Sequence, residues 1–123
     1  MEDATHYRWD DIPKESLSEG LDRKMVWGNN AMAAQIFLAK GAVVPMHDHH
    51  NEQITYVLSG GLRFTIGRED PRTVDVLAGE VLVIPAHVPH AALALEDTLD
   101  LDFFTPPRQD WIEKTDAYLR GDQ

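Results

Sequence analysis

Glycines and prolines cut most of this chain into short segments, and within them apolar residues alternate with polar ones. LDRKMVWG (21–28), MAAQIFLAKG (32–41) and EQITYVLSGG (52–61) each read as a strand that runs into a turn. GLRFTIGRED (61–70) puts Leu62, Phe64 and Ile66 on one face and Arg63 and Thr65 on the other. RTVDVLAGE (72–80) keeps Val74 and Val76 in phase, and VLVIPAH (81–87) reads as a short buried strand stopped by Pro85. HAALALEDTLDLDFFTPP (90–107) reads as two strands split near Glu96 and Asp97. Many short strands with such punctuation predict an all-β fold, a sandwich or a barrel. Only the segment from Gln109 to Leu119 has a helical pattern, with Trp111, Ile112, Ala117, Tyr118 and Leu119 forming a weak apolar face. No linker or second domain is visible, so residues 1–123 are expected to form a single domain.

The chemistry concentrates in PMHDHHNEQITYVLSG, residues 45–60. In a strand, residues i and i+2 share a face, so His47 and His49 can reach one ion while Asp48 and His50 point away. The chain has no cysteine, so a metal must be held by imidazole, carboxylate, amide or water. Glu52 and Gln53 compete for a fourth position. If the chain stays extended, Gln53 shares parity with the two histidines. His90, far along the chain, is positioned to close the site from a neighbouring strand, whereas His6, His50 and His87 read as bystanders.

Two spacings then become informative together. Gly41, five residues, His47, one residue, His49, three residues, Gln53, six residues, Gly60 resembles the first cupin motif, with Gln where Glu is usual. Gly79, five residues, Pro85 and then His90 resembles the second, with His87 in place of its usual glycine. The resemblance implies a cupin jelly-roll β-barrel (a double-stranded β-helix) with its core over about 32–106 and a short C-terminal helix. It also implies His47, His49, Gln53 and His90 as metal ligands inside the barrel. The stretch LDLDFFTPPRQDW (99–111) adds Asp102, Phe104 and Arg108. With the glutamine ligand, these look like KdgF-type cupins, which open the ring of unsaturated uronates in pectin and alginate breakdown. That likeness implies Asp102 as the catalytic acid/base, with Phe104 and Arg108 facing substrate, and favours a homodimer.

Three histidines and a glutamine leave the full charge on one divalent transition metal ion (Ni, Fe, Zn, Mn or Co), which makes it a better receptor for an anion than a site containing Glu. The point matters because 21 acidic against 11 basic residues give the chain a formal charge of −10. Such a surface argues against nucleic acid and anionic membranes as partners, and a small sugar acid would need a local positive centre. The start of the chain is acidic and lacks an apolar run, so the expected location is the cytoplasm. Two alternatives remain open on sequence: a metal-dependent cupin dioxygenase, and a cupin that binds a sugar or other small molecule without turning it over.

Overall fold

Period-two alternation decides which side of each strand is buried. In the computed structural model, which describes residues 3–120, it produces two antiparallel sheets. The larger contains β1 (Glu15–Ser18), β2 (Leu21–Trp27), β3 (Met32–Leu38), β5 (Glu52–Ser59), β8 (Val81–Ile84) and β10 (Thr98–Thr105), in the order β1-β2-β3-β10-β5-β8. The smaller contains β4 (Val43–His47), β6 (Gly61–Ile66), β7 (Arg72–Leu77) and β9 (His90–Ala94), in the order β4-β9-β6-β7. The jelly-roll expectation therefore holds, but no hydrogen-bonded ladder joins the two sheets among the described residues, so the barrel is not closed.

β3 shows how alternation builds the core. Met32, Ala34, Ile36 and Leu38 are buried, and the residues between them are half-buried. Leu62 and Phe64 of β6 and Ala92 and Ala94 of β9 belong to the same core. Burial of side chains of this size contributes roughly 1.5–3 kcal/mol for each large one.

Several expectations need correction. The segment 81–84 is not a buried strand: β8 lies at a sheet edge, with Val81 and Val83 each 56% exposed and only Ile84 fully buried. β1 is not among the segments singled out in the sequence; Gly20, at φ 75°, turns the chain so that β1 forms a hairpin with β2. The C-terminal segment forms two one-turn helices, α1 (Gln109–Ile112) and α2 (Ala117–Arg120), not one, and Ala117 is exposed. Asp110 caps the break by accepting from the Thr115 backbone N–H at 2.8 Å through its carbonyl.

The outer face of the larger sheet is also unusually apolar. Ile54, Tyr56 and Leu58 on β5, Val81 and Val83 on β8, and Phe103 on β10 are all exposed. Register makes them neighbours, with Ile54 opposite both Val83 and Phe103, and Tyr56 opposite Val81. No helix of the described residues is long and apolar enough to cross a membrane.

Candidate metal centre

The histidines arrive from different elements. His47 ends β4 and lies directly opposite His90, the first residue of β9. His49 does not continue the strand: β4 stops at His47 and β5 begins at Glu52, so His49 sits in the bend between them. The parity argument assumed an extended chain to Gln53 and does not hold for His49, although the fold still brings His49 beside Gln53. The bend is held by Asn51, whose side-chain amide donates to the Pro106 carbonyl at 2.6 Å and to the Pro107 carbonyl at 3.2 Å. The His87 N–H, in turn, donates to the His49 carbonyl at 2.7 Å. His87 itself adopts φ 68°, the left-handed conformation that the glycine of the usual motif would favour. The substitution thus keeps the turn. At the other end of the first motif, Gly60 (φ 85°) packs so closely on Thr98 and the Asp97 carbonyl that a Cβ would collide with both.

Nitrogen atoms of His47, His49 and His90 lie within 4.8 Å of one another. Each Nδ1 faces a backbone carbonyl: Pro45 at 2.8 Å, Asn51 at 3.0 Å and Val88 at 2.9 Å. A carbonyl only accepts, so each Nδ1 carries the proton and each Nε2 presents a lone pair. Burial holds all three rings neutral. It brings His47 down to about 3, aided by the adjacent His90, and His49 down to about 4, aided by Arg108. His90 is lowered by burial too, against the opposing pull of its Val88 contact.

Gln53 supplies the fourth group. Its Nε2 donates to Thr55 Oγ1 at 2.8 Å, which turns Oε1 toward His49 Nε2 at 3.1 Å. Two acceptor lone pairs are then directed at one another, and His90 Nε2 is buried without a hydrogen-bond partner among the described residues. A cation between these atoms satisfies all of them, so the donor set fits a divalent metal. Glu52, the competing carboxylate, is exposed on the opposite face of β5, as are Asp48 and His50 on their loop. Asp48 is paired with Arg68 at 3.0 Å.

The three remaining predicted residues border the same pocket, which has a cavity volume of ≈ 50 Å³. Asp102 is buried on β10 and accepts from Thr55 Oγ1 at 2.7 Å. Burial raises its pKa; hydrogen bonds from Asp100 and Thr55, and the charge of Arg108, oppose the rise. Phe104 is 1% exposed and meets His49 and Trp111 edge-on, with ring centroids 5.8 and 4.9 Å away. Arg108 is buried rather than on a helix surface. The fork of its guanidinium holds Asp110, with Nε and Nη2 at 3.0 and 2.8 Å from the carboxylate. Its guanidinium also lies over Phe104 and Trp111, 5.2 and 4.8 Å from the ring centroids.

Sequence reasoning missed one wall of the pocket. Trp111 and Tyr118, from the two short helices, line it beside His47, and the Tyr118 ring lies 4.5 Å from the His47 ring. The Tyr118 hydroxyl accepts from Arg108 Nη2 at 2.7 Å and Trp111 Nε1 at 3.3 Å. This wall is fastened by ion pairs to the start of the chain. Arg23 and Asp116, both fully buried side chains, pair at 2.6 Å, and Arg120 bridges Asp116 and Glu15 at 2.8 and 2.7 Å. Removing one partner of such a buried pair costs about 3–5 kcal/mol, because the other charge stays buried. Their separation of 93 residues leaves no local signal in the sequence.

A family described as "Cupin domain" matches residues 35–105, which contain every proposed metal ligand. The chain belongs to the cupin family. An RmlC-like cupin from Shewanella frigidimarina is 28% identical, covers 90% of this cupin and 99% of its own chain, and superposes with a TM-score of 0.79. KdgF from Halomonas sp. is 29% identical over 89% of this cupin and 99% of its own chain, with a TM-score of 0.78. Oxalate decarboxylase from Bacillus subtilis shares the fold at 22% identity and a TM-score of 0.73, but this cupin spans only 31% of it. No curated protein matches this chain.

Proposed function

We propose that this cupin opens the ring of a 4,5-unsaturated monouronate, giving the linear 4-deoxy-5-keto uronate. The observation that carries the reading is the shared pocket of Asp102, Phe104 and Arg108 beside the three histidines and Gln53. Similarity to KdgF from Halomonas sp. supports it.

The reaction is an isomerisation. The anomeric hydroxyl loses a proton, the bond from C1 to the ring oxygen breaks, the enol oxygen takes up the charge, and C4 gains the proton. A divalent metal held by His47, His49, Gln53 and His90 supplies Lewis acidity for oxygens on the substrate. Asp102 takes the hydroxyl proton and returns a proton to C4, the task of one positioned acid/base group. Its bond to Thr55 fixes the plane of the carboxyl group. Arg108 attracts the uronate carboxylate by its charge, while Asp110 keeps the guanidinium in place. Phe104 and Trp111 limit the access of water to the pocket floor.

The deciding experiment identifies the product. Nuclear magnetic resonance of the unsaturated monouronate incubated with metal-loaded protein should show the linear keto acid, with no oxygen consumed. Oxygen uptake with ferrous protein would instead favour a dioxygenase, and ligand-induced stabilisation without turnover would favour a binding protein. A second copy of this chain is the proposed partner. It would cover the apolar outer face of the larger sheet, which carries Ile54, Tyr56, Val81, Val83 and Phe103 in a chain otherwise strongly negative.

A further inference from the structure

Asp100 is a second buried carboxyl group lining the pocket, beside the proposed acid/base Asp102. It lies two residues before Asp102 on β10, on the same inward face, and is 4% exposed. Its neighbours in register are Ile36 on β3 and Val57 on β5, both apolar, whereas Asp102 sits between Ala34 and Thr55. One oxygen, Oδ1, is buried with no hydrogen-bond partner. The other carboxyl contact is with Asp102 itself.

A hydrogen bond between two carboxyl groups requires a proton, because ionised carboxylates only accept. The surrounding bonds decide which group carries it. Gln53 Nε2 donates to Thr55, so the Thr55 hydroxyl must donate onward, and Asp102 receives it. Asp102 is therefore an acceptor on one side already. Arg108, the one permanent cation among the described residues that line the pocket, favours the charged form of Asp102. His47, His90 and Tyr118 are the other titratable side chains lining the pocket, and the histidines are neutral by the argument above. β3, β5 and β6 present only uncharged residues to it.

We propose that Asp100 is a positioning residue: it stands as a neutral acid whose O–H holds the Asp102 carboxylate from the side opposite Thr55. Donation then converges on Asp102, from Gln53 through Thr55 on one side and from the Asp100 O–H on the other. Replacing Asp100 with leucine should stabilise the fold, because it removes a buried oxygen without a partner. Such a residue, costly to the fold, is what a positioning role demands.

The proposal rests on Asp102 as the acid/base, but two of its readouts need no turnover. Infrared difference spectra of metal-loaded wild type against Asp100→Asn and Asp100→Leu at neutral pH should show the carbonyl band of a protonated carboxylic acid in the wild type alone. The Asp100→Leu protein should melt no lower than wild type. In the ring-opening assay, Asp100→Leu should lose on the order of 10²-fold in kcat, with KM and metal content retained and the acid limb of the pH profile displaced. Asp100→Asn, which keeps an N–H donor, should recover most of that loss. Absence of the protonated band, or an Asp100→Leu protein with wild-type kcat and pH profile, would overturn the proposal. If wild type carries the band but opens no ring, the ring-opening assignment fails while the Asp100–Asp102 pairing stands.

Discussion

Gln53 Oε1 lies 3.1 Å from His49 Nε2, and the amide nitrogen of the same side chain donates to Thr55 at 2.8 Å. The two contacts give Gln53 a fixed orientation, with its oxygen toward His49 and its amide hydrogens toward Thr55. A neutral ligand and a hydrogen-bond donor are thus combined in one residue.

Gln53→Glu changes both functions at once. The carboxylate should bind a divalent ion at least as tightly, but it cancels part of the ion's charge and gives Thr55 no donor. We expect KM for the anionic substrate to rise about tenfold, ~1.4 kcal/mol, with metal retained. Steady-state kinetics beside elemental analysis of the same sample checks this; an unchanged KM in fully loaded protein would count against the charge argument.

Asp102→Asn keeps the shape of the side chain and its contact with Thr55 but cannot carry the proton. The rate should fall by about 10²–10⁴-fold at unchanged metal content. Full activity in this variant would remove Asp102 from the role of acid/base.

The histidines make the metal-free protein sensitive to mild acid. Their folded values, about 3 for His47 and about 4 for His49, lie below the ordinary 6.5. Between 6.5 and those values the unfolded chain binds protons that the folded chain refuses, so stability is greatest above 6.5 and declines as pH falls. Glu15 acts in a lower window. Burial raises its pKa, but hydrogen bonds from Lys114, Arg120 and Arg23 outweigh that and bring it to about 2, so its contribution holds above 4.5 and is lost as pH falls toward 2. Calorimetry of chelator-treated protein should therefore show the melting temperature dropping already between pH 7 and pH 5, with a second decline below 4.5. A flat profile from 7 to 5 would contradict the first part.

Much of this was legible in the sequence, and the reasons are physical. Alternation put Leu62 and Phe64 on one face, which is the buried one, because a strand's two faces have different surroundings. The motif spacings resemble the cupin pattern at His47, His49, Gln53 and His90, and the fold brings the three histidines together. Parity alone would not have placed His49, since it leaves the strand and depends on a bend tied down by Asn51 and Pro106. Asp100 was within reach, being in phase with Asp102, but a carboxylate in an apolar register reads as outward until its neighbours are known. Arg23 and Asp116 could not be paired from local pattern, and with them went the wall made by Trp111 and Tyr118.

The apolar outer face gives a prediction about assembly. Val83→Glu combined with Phe103→Asp places two charges at the centre of the proposed contact between copies. Sedimentation should show wild type at twice the mass of one chain and the double variant at the mass of one. A wild-type protein that sediments as a single chain would contradict the proposed dimer.

The most direct test of the account follows the ultraviolet absorbance of the 4,5-unsaturated monouronate in the presence of metal-loaded protein. The account predicts loss of the double-bond absorbance well above the spontaneous rate, abolished by a chelator and restored when a divalent metal is returned. A rate equal to that in buffer, with metal demonstrably bound, would contradict it.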